Sequence, residues 1–152
     1  MLITLSAAAM RARIQSIIAL KSSLSDEYAN VLTPDRDFAL NQQLVFHFLA
    51  AMMRIAPSVA DYKIEPSNYY EAPGTELMLQ INLKMREGLD ARQMRDFLEN
   101  YIALMTLSTI LVGISDGSES RTYADDAKGY LDRLADEIDA TDFSSLRISR
   151  TI

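Results

Sequence analysis

The chain has no cysteine, no tryptophan, one histidine and only five glycines among 152 residues. Without thiols there is no disulfide framework and no thiolate metal site, which suits a reducing compartment. A single imidazole, His47, also closes multi-histidine zinc chemistry. The glycines, Gly74, Gly88, Gly113, Gly117 and Gly129, are scattered and form no phosphate-cradling loop. Positive charge is short as well. The net charge of −6 argues against the basic footprint of a nucleic-acid binder. Long apolar runs are missing too. Residues 101–115 are uncharged, but they fall short of the roughly 20 residues a bilayer requires, and Thr106, Ser108 and Thr109 interrupt them. The apolar opening Met1-Leu2-Ile3-Thr4-Leu5 has no basic segment before it and soon meets Arg11 and Arg13, so it is not read as a secretory signal. The expectation is a cytoplasmic protein with no membrane partner.

What is present is a helical pattern. A chain of this length buries roughly two thirds of its unfolded surface, enough for one domain with its own core. Met10, Ile14, Ile17 and Ile18 recur at helical spacing after a start at Thr4 or Ser6. Ser25-Asp26-Glu27 reads as a fresh cap of a short helical piece. Thr33-Pro34-Asp35 predicts the start of a longer helix that ends at Pro57. Its apolar residues include Phe38, Leu44, Val45, Phe48, Leu49, Met52 and Ile55. Asp90 and Gln93, after Gly88, have capping-box spacing and predict a helix to about Val112. The second half of that helix is apolar all round, which predicts burial at the centre of the domain. Asp116-Gly117-Ser118 reads as a turn. A last helix, to Ala140, carries the stripe Tyr123, Ala127, Tyr130, Leu131, Leu134 and Ile138.

The middle of the chain differs in kind. Leu77, Leu79, Ile81 and Leu83 alternate with Met78, Gln80, Asn82 and Lys84, the period of two that marks a strand. Lys63-Ile64-Glu65 is a short strand candidate, held to an edge by Pro66. The fold class expected is therefore mainly α: four to five helices around one buried central helix, with a small β-hairpin insertion at 62–84. Residues 1–142 form the single domain. Residues 143–152, where Leu146 and Ile148 alternate with Arg147 and Ser149, read as an extended C-terminal arm.

Catalytic chemistry finds little support. His47 lies between Phe46 and Phe48, with Gln43, Leu44, Ala50 and Ala51 a turn away, so no acid stands ready to orient it. A structural histidine is the preferred reading. Position 44 is Leu, so the Glu-x-x-His spacing of carboxylate-bridged metal sites is absent. Asp116, Ser118 and Ser120 alternate like calcium-loop ligands, but Arg121 and Tyr123 break the set. No cofactor, metal or small-molecule substrate is expected, and no enzyme. An unrecognised Asp/Glu cleft is the one enzymatic alternative.

Charge and aromatic placement point instead to protein partners. Residues 1–24 carry Arg11, Arg13 and Lys21 without an acid, whereas residues 113–142 hold nine acids against three bases. A solvated face is the ordinary reading. The sharper one is a basic end meeting an acidic helix on a neighbouring copy. Tyr62, Tyr69 and Tyr70 cluster around the hairpin, where tyrosine serves either to cover the core or to recognise a partner. The contact residues expected are Tyr62, Tyr69, Tyr70, Leu146, Arg147, Ile148 and Arg150.

The apolar opening at residues 1–5 running into a helix, the hairpin at 62–83, the capped acidic helix at 120–140 and the C-terminal arm together resemble the small helical head–tail connector or neck proteins of tailed phages. The long apolar helix at 102–114 departs from that pattern, and no functional residue carries over. The resemblance implies a non-enzymatic structural assembly subunit that forms a symmetric ring and ends in the virion. The alternative is a cytoplasmic helical protein-binding or regulatory module, with the Tyr69-Tyr70 loop as its contact surface.

Overall fold

The computed structural model describes the backbone of residues 1–20, 37–69, 77–84, 88–112 and 117–150, and the side chains of these except at 37–38, 111–112, 117–119 and 140–150. The described chain is mostly helical, with a small three-stranded antiparallel sheet. In order it forms β1 (Leu2–Ser6), α1 (Ala7–Leu20), α2 (Asp37–Arg54), a short 3-10 turn (Ala56–Ser58), β2 (Val59–Glu65), β3 (Met78–Leu83), α3 (Ala91–Val112) and α4 (Gly117–Arg150).

The sheet follows from alternation. Leu77, Leu79, Ile81 and Leu83 are all buried on one face, as their period of two predicts. Full burial of each such side chain contributes about 1.5–3 kcal/mol. The expected hairpin forms, with Ile64 opposite Leu79 and Tyr62 opposite Ile81, but β2 begins earlier than Lys63, at Val59. A register shift between Val59 and Asp61 bends its start. The Glu65–Pro66 peptide bond is cis.

The strand order is β1-β3-β2, so β3 lies in the middle and the hairpin is not a separate insertion. Leu2–Ser6, expected to lead straight into a helix, form the third strand. Ile3 pairs with Ile81 and Leu5 with Leu79, and both Ile3 and Leu5 are buried. The ladder reaches Met1, whose carbonyl accepts from the Leu83 amide at 2.8 Å and whose ammonium donates to the Leu83 carbonyl at 2.8 Å. A short apolar run of this kind does not declare its period. The partner that makes it a strand lies more than seventy positions later.

Helix α1 begins where Ser6 caps it, its Oγ accepting the Ala9 amide at 3.1 Å. Met10, Ile14 and Ile18 are buried along it. Pro57 falls inside the 3-10 turn just beyond α2 and closes it. The expected starts at Ser25 and Thr33 lie outside the described residues. Gly88 takes φ +90, a conformation that favours glycine, two residues before Asp90, which caps α3 by accepting the Arg92 amide at 3.0 Å. Helix α3 packs against α1, α2, α4 and β1. From Tyr101 through Leu104, and again from Thr106 through Ser108, its side chains are buried.

Helix α4 corrects two expectations. Gly117 and Ser118, read as a turn, already belong to it, and residues 143–150, read as an extended arm, continue it. The alternation of Leu146 and Ile148 with polar residues spans too few positions to outweigh helix propagation from the long segment before it. The expected stripe holds: Tyr123, Ala127, Leu131, Leu134 and Ile138 are buried, with Tyr130 packed at its margin. A buried clasp joins α3 to α4. The Ser108 hydroxyl donates to the Ser120 carbonyl at 2.8 Å, and the Ser120 hydroxyl donates to the Ser108 carbonyl at 3.0 Å.

Candidate subunit-contact surface

Tyr62 sits mid-way along β2, on the side of the sheet that faces the core. Its ring meets Phe48 of α2 edge-on, with centroids 5.8 Å apart. It remains 49% exposed because β2 is an edge strand and little covers it from outside. Ala60, Asp61 and Lys63 beside it are exposed as well. A shallow depression of about 340 Å³, lined by Met52, Ala56, Val59, Ala60, Asp61 and Tyr62, opens at this corner. On the outward side, Lys63 pairs with Glu65. Ion-paired Lys, a bulge and a following proline are features that discourage indiscriminate pairing along an edge strand. Side-chain recognition through Tyr62 therefore suits this edge better than added strands.

The three tyrosines do not form one patch. Tyr69 packs against the core, and its carbonyl accepts from Asn41 Nδ2 at 3.4 Å. Tyr70 lies outside the described residues. Leu146, Arg147, Ile148 and Arg150 are placed on the continuing α4 backbone, and their side chains lie outside the description.

Of the bases at the start of the chain, Arg13 is engaged within its own subunit, and Lys21 lies outside the described residues. Arg13 reaches across from α1 to α3, donating to Asn100 Oδ1 at 2.8 Å, Glu99 Oε2 at 3.3 Å and Asp96 Oδ1 at 3.4 Å. Glu99 is 5% exposed, and Arg95 stands 3.8 Å from its other oxygen. A carboxylate so buried requires such partners, because its desolvation costs several kcal/mol. Arg13 thus holds α1 to α3 and is not available to a neighbour's acidic helix. That helix does present its acids outward: Asp125, Asp126, Asp132, Asp136, Glu137 and Asp139 are exposed. A cleft of about 560 Å³ lies between α1, α3 and α4 beside Arg13, Tyr123, Asp126 and Arg133.

His47 is buried on α2 against α3. Thr109 donates its hydroxyl proton to the Met105 carbonyl at 3.0 Å, so it can only accept from His47 Nε2, 3.3 Å away. With the hydroxyl so directed, the neutral imidazole carries its proton on Nε2. Burial lowers the pKa from 6.5 to about 4. Among the described residues no three His, Asp or Glu side chains gather as a metal site would require, and no helix is long and apolar enough to cross a membrane.

One surface escaped the sequence reading. Phe46 and Met53 of α2 are 66% and 80% exposed, the largest such pair on any described helix save Leu20 at the end of α1. The signal was available: residues 38–53 carry no Asp, Glu, Lys or Arg, and with His47 neutral this run is longer than the one at 101–115. No protein-family model, curated protein or solved structure matches the chain.

Proposed function

We propose that this protein is a non-enzymatic assembly subunit, a head–tail connector or neck component of a tailed phage, which joins neighbouring subunits in a symmetric ring and resides in the virion. The observation that carries this reading is the edge strand β2. Residues Ala60 to Lys63 are all exposed even though Tyr62 lies on the core side of the sheet, and the principal contacts of β2 are with β3. Such a strand adds little to its own subunit's core and offers Tyr62, a rigid aromatic with a hydroxyl, to another protein. In this reading α3 is the central helix and fixed hub, and the hairpin and the C-terminal end of α4 are the parts that grip. The acidic outer face of α4 would meet a basic surface of a neighbouring particle protein rather than Arg13 of a second copy.

The test combines Tyr62→Ser with a truncation that removes residues 143–152. Both variants are followed by circular dichroism, for folding, and by particle assembly in an infected or reconstituted system. Folded subunits with particle yield reduced at least tenfold are expected. Full particle yield from both variants would refute the proposal. Capture of a cellular partner through Tyr62 with no particle phenotype would favour a regulatory module instead.

A further inference from the structure

The cleft between α1, α3 and α4 combines an apolar base with charges of both signs. Its volume of about 560 Å³ is in the range of small-ligand sites. Helix α3 supplies the base, where Ala103 and Leu104 are buried, and Ile17 of α1 and Tyr130 of α4 line the sides.

The charges are set along α4. This helix runs antiparallel to α3, because Ser120 bonds to Ser108 while the Tyr130 ring meets Phe97. Asp126 therefore stands towards the Leu104 end of the cleft, and Arg133 stands towards the other end, past Asn100. They are seven positions apart, about 10 Å along the helix. That is too far for a direct ion pair. Among the described residues neither one makes an ion pair with any other side chain. The Arg133 guanidinium is held at the cleft by the Tyr130 ring, 5.6 Å from its centroid. Arg13 lies towards the same end, but Asp96 and Glu99 already match its charge.

Gly129 is an independent observation. It lines the cleft on α4, one turn from Asp126 and one turn from Arg133. Glycine weakens a helix interior relative to alanine, and a Cβ added here would meet nothing within 4 Å. Packing within the subunit therefore does not call for glycine at this position. Its effect is to leave the α4 backbone bare between the two charges.

We propose that this cleft binds a short peptide with free ends, about three residues long. Its ammonium meets Asp126, its carboxylate meets Arg133, and an apolar central side chain rests on Ala103 and Leu104. Spacing selects the length. An extended chain advances about 3.3–3.6 Å per residue, so three residues span the distance between the charges. A single amino acid carries both charges close together and reaches only one of the two side chains. A ligand with charge of one sign would leave the other side chain unmatched beside it. Arginine takes a carboxylate through two parallel N–H bonds, and an aspartate accepts from an ammonium. The bare backbone at Gly129 lets the main chain of the peptide come close to α4. The site is distinct from the Tyr62 edge and does not depend on the assembly reading.

The test is calorimetric titration of the full chain with the tripeptide Ala-Leu-Ala. Saturable one-to-one binding with a Kd of about 1 mM or tighter is expected. Acetylating the amine of the peptide, or amidating its carboxylate, should weaken binding at least tenfold, and leucine alone should bind at least tenfold more weakly. Asp126→Asn and Arg133→Gln should have the same effect, whereas Asp139→Asn, on the same helix but outside the cleft, should have none. Gly129→Leu separates binding from folding. Its Cβ is unobstructed and leucine favours a helix, so the thermal midpoint should hold or rise while binding falls at least tenfold. No saturable binding to the unmodified chain, equal binding of the end-blocked peptides, or full binding by a folded Gly129→Leu would each overturn the assignment. None of these outcomes alters what the particle assay with Tyr62→Ser reads.

Discussion

Lowering the pH should destabilise this fold through one residue, and the effect can be isolated. His47 is the only histidine, is 4% exposed, and donates through Nε2 to Thr109. Its pKa falls from 6.5 to about 4 because burial penalises the charged imidazolium. The unfolded chain therefore binds a proton at His47 more readily than the folded one between those values. Stability is complete above about pH 6.5, declines as pH falls towards 4, and levels off below, as far as this residue is concerned. At about 1.4 kcal/mol per tenfold the full loss is about 3 kcal/mol, and the exposed Thr109 hydroxyl, which lets water approach, reduces that to about 2. The comparison is urea unfolding of the wild type and His47→Leu at pH 7.5 and pH 4.5. Leucine leaves no buried group orphaned, because Thr109 still donates to the Met105 carbonyl. The variant cancels the pH dependence contributed by the carboxylates, which both proteins share. The wild type should lose about 2 kcal/mol more than the variant over this interval. The lone imidazole also gives a single set of aromatic resonances, whose midpoint should lie well below 6.5. Equal losses in the two proteins, or a resonance titrating at an ordinary value, would show that His47 is not desolvated and that α2 does not lie on α3 as described.

Two further substitutions probe the packing of α3. Ser108→Ala removes one half of the clasp, the buried bond to the Ser120 carbonyl, while the Ser120 hydroxyl still donates to the carbonyl of residue 108, so denaturant unfolding should show a loss of about 1 kcal/mol. Thr106 is fully buried, and among the described residues its hydroxyl has no hydrogen-bond partner. Thr106→Val, which keeps the shape and removes the unsatisfied hydroxyl, should be neutral or raise stability by up to about 1 kcal/mol, measured the same way.

Local signals settled much of the fold. Alternation from Leu77 to Leu83 marks β3, Ser6 and Asp90 cap α1 and α3, Pro57 follows the end of α2, and the stripe from Tyr123 to Ile138 marks the buried side of α4. Each of these depends on residues within a few positions of one another, which is why they can be read in one dimension. The third strand could not be read in this way, because Ile3 and Leu5 become a strand only when Ile81 and Leu79 arrive beside them. Nor could the fate of Arg13, whose charge looked available until α3 placed Asp96, Glu99 and Asn100 around it. The tyrosines divided for the same reason: an edge position leaves Tyr62 open, and the core takes Tyr69. The exposed Phe46 and Met53 of α2 lie between these cases. Their spacing is written in the residues, but two apolar faces on one helix look alike until the remainder of the chain covers one and leaves the other to solvent.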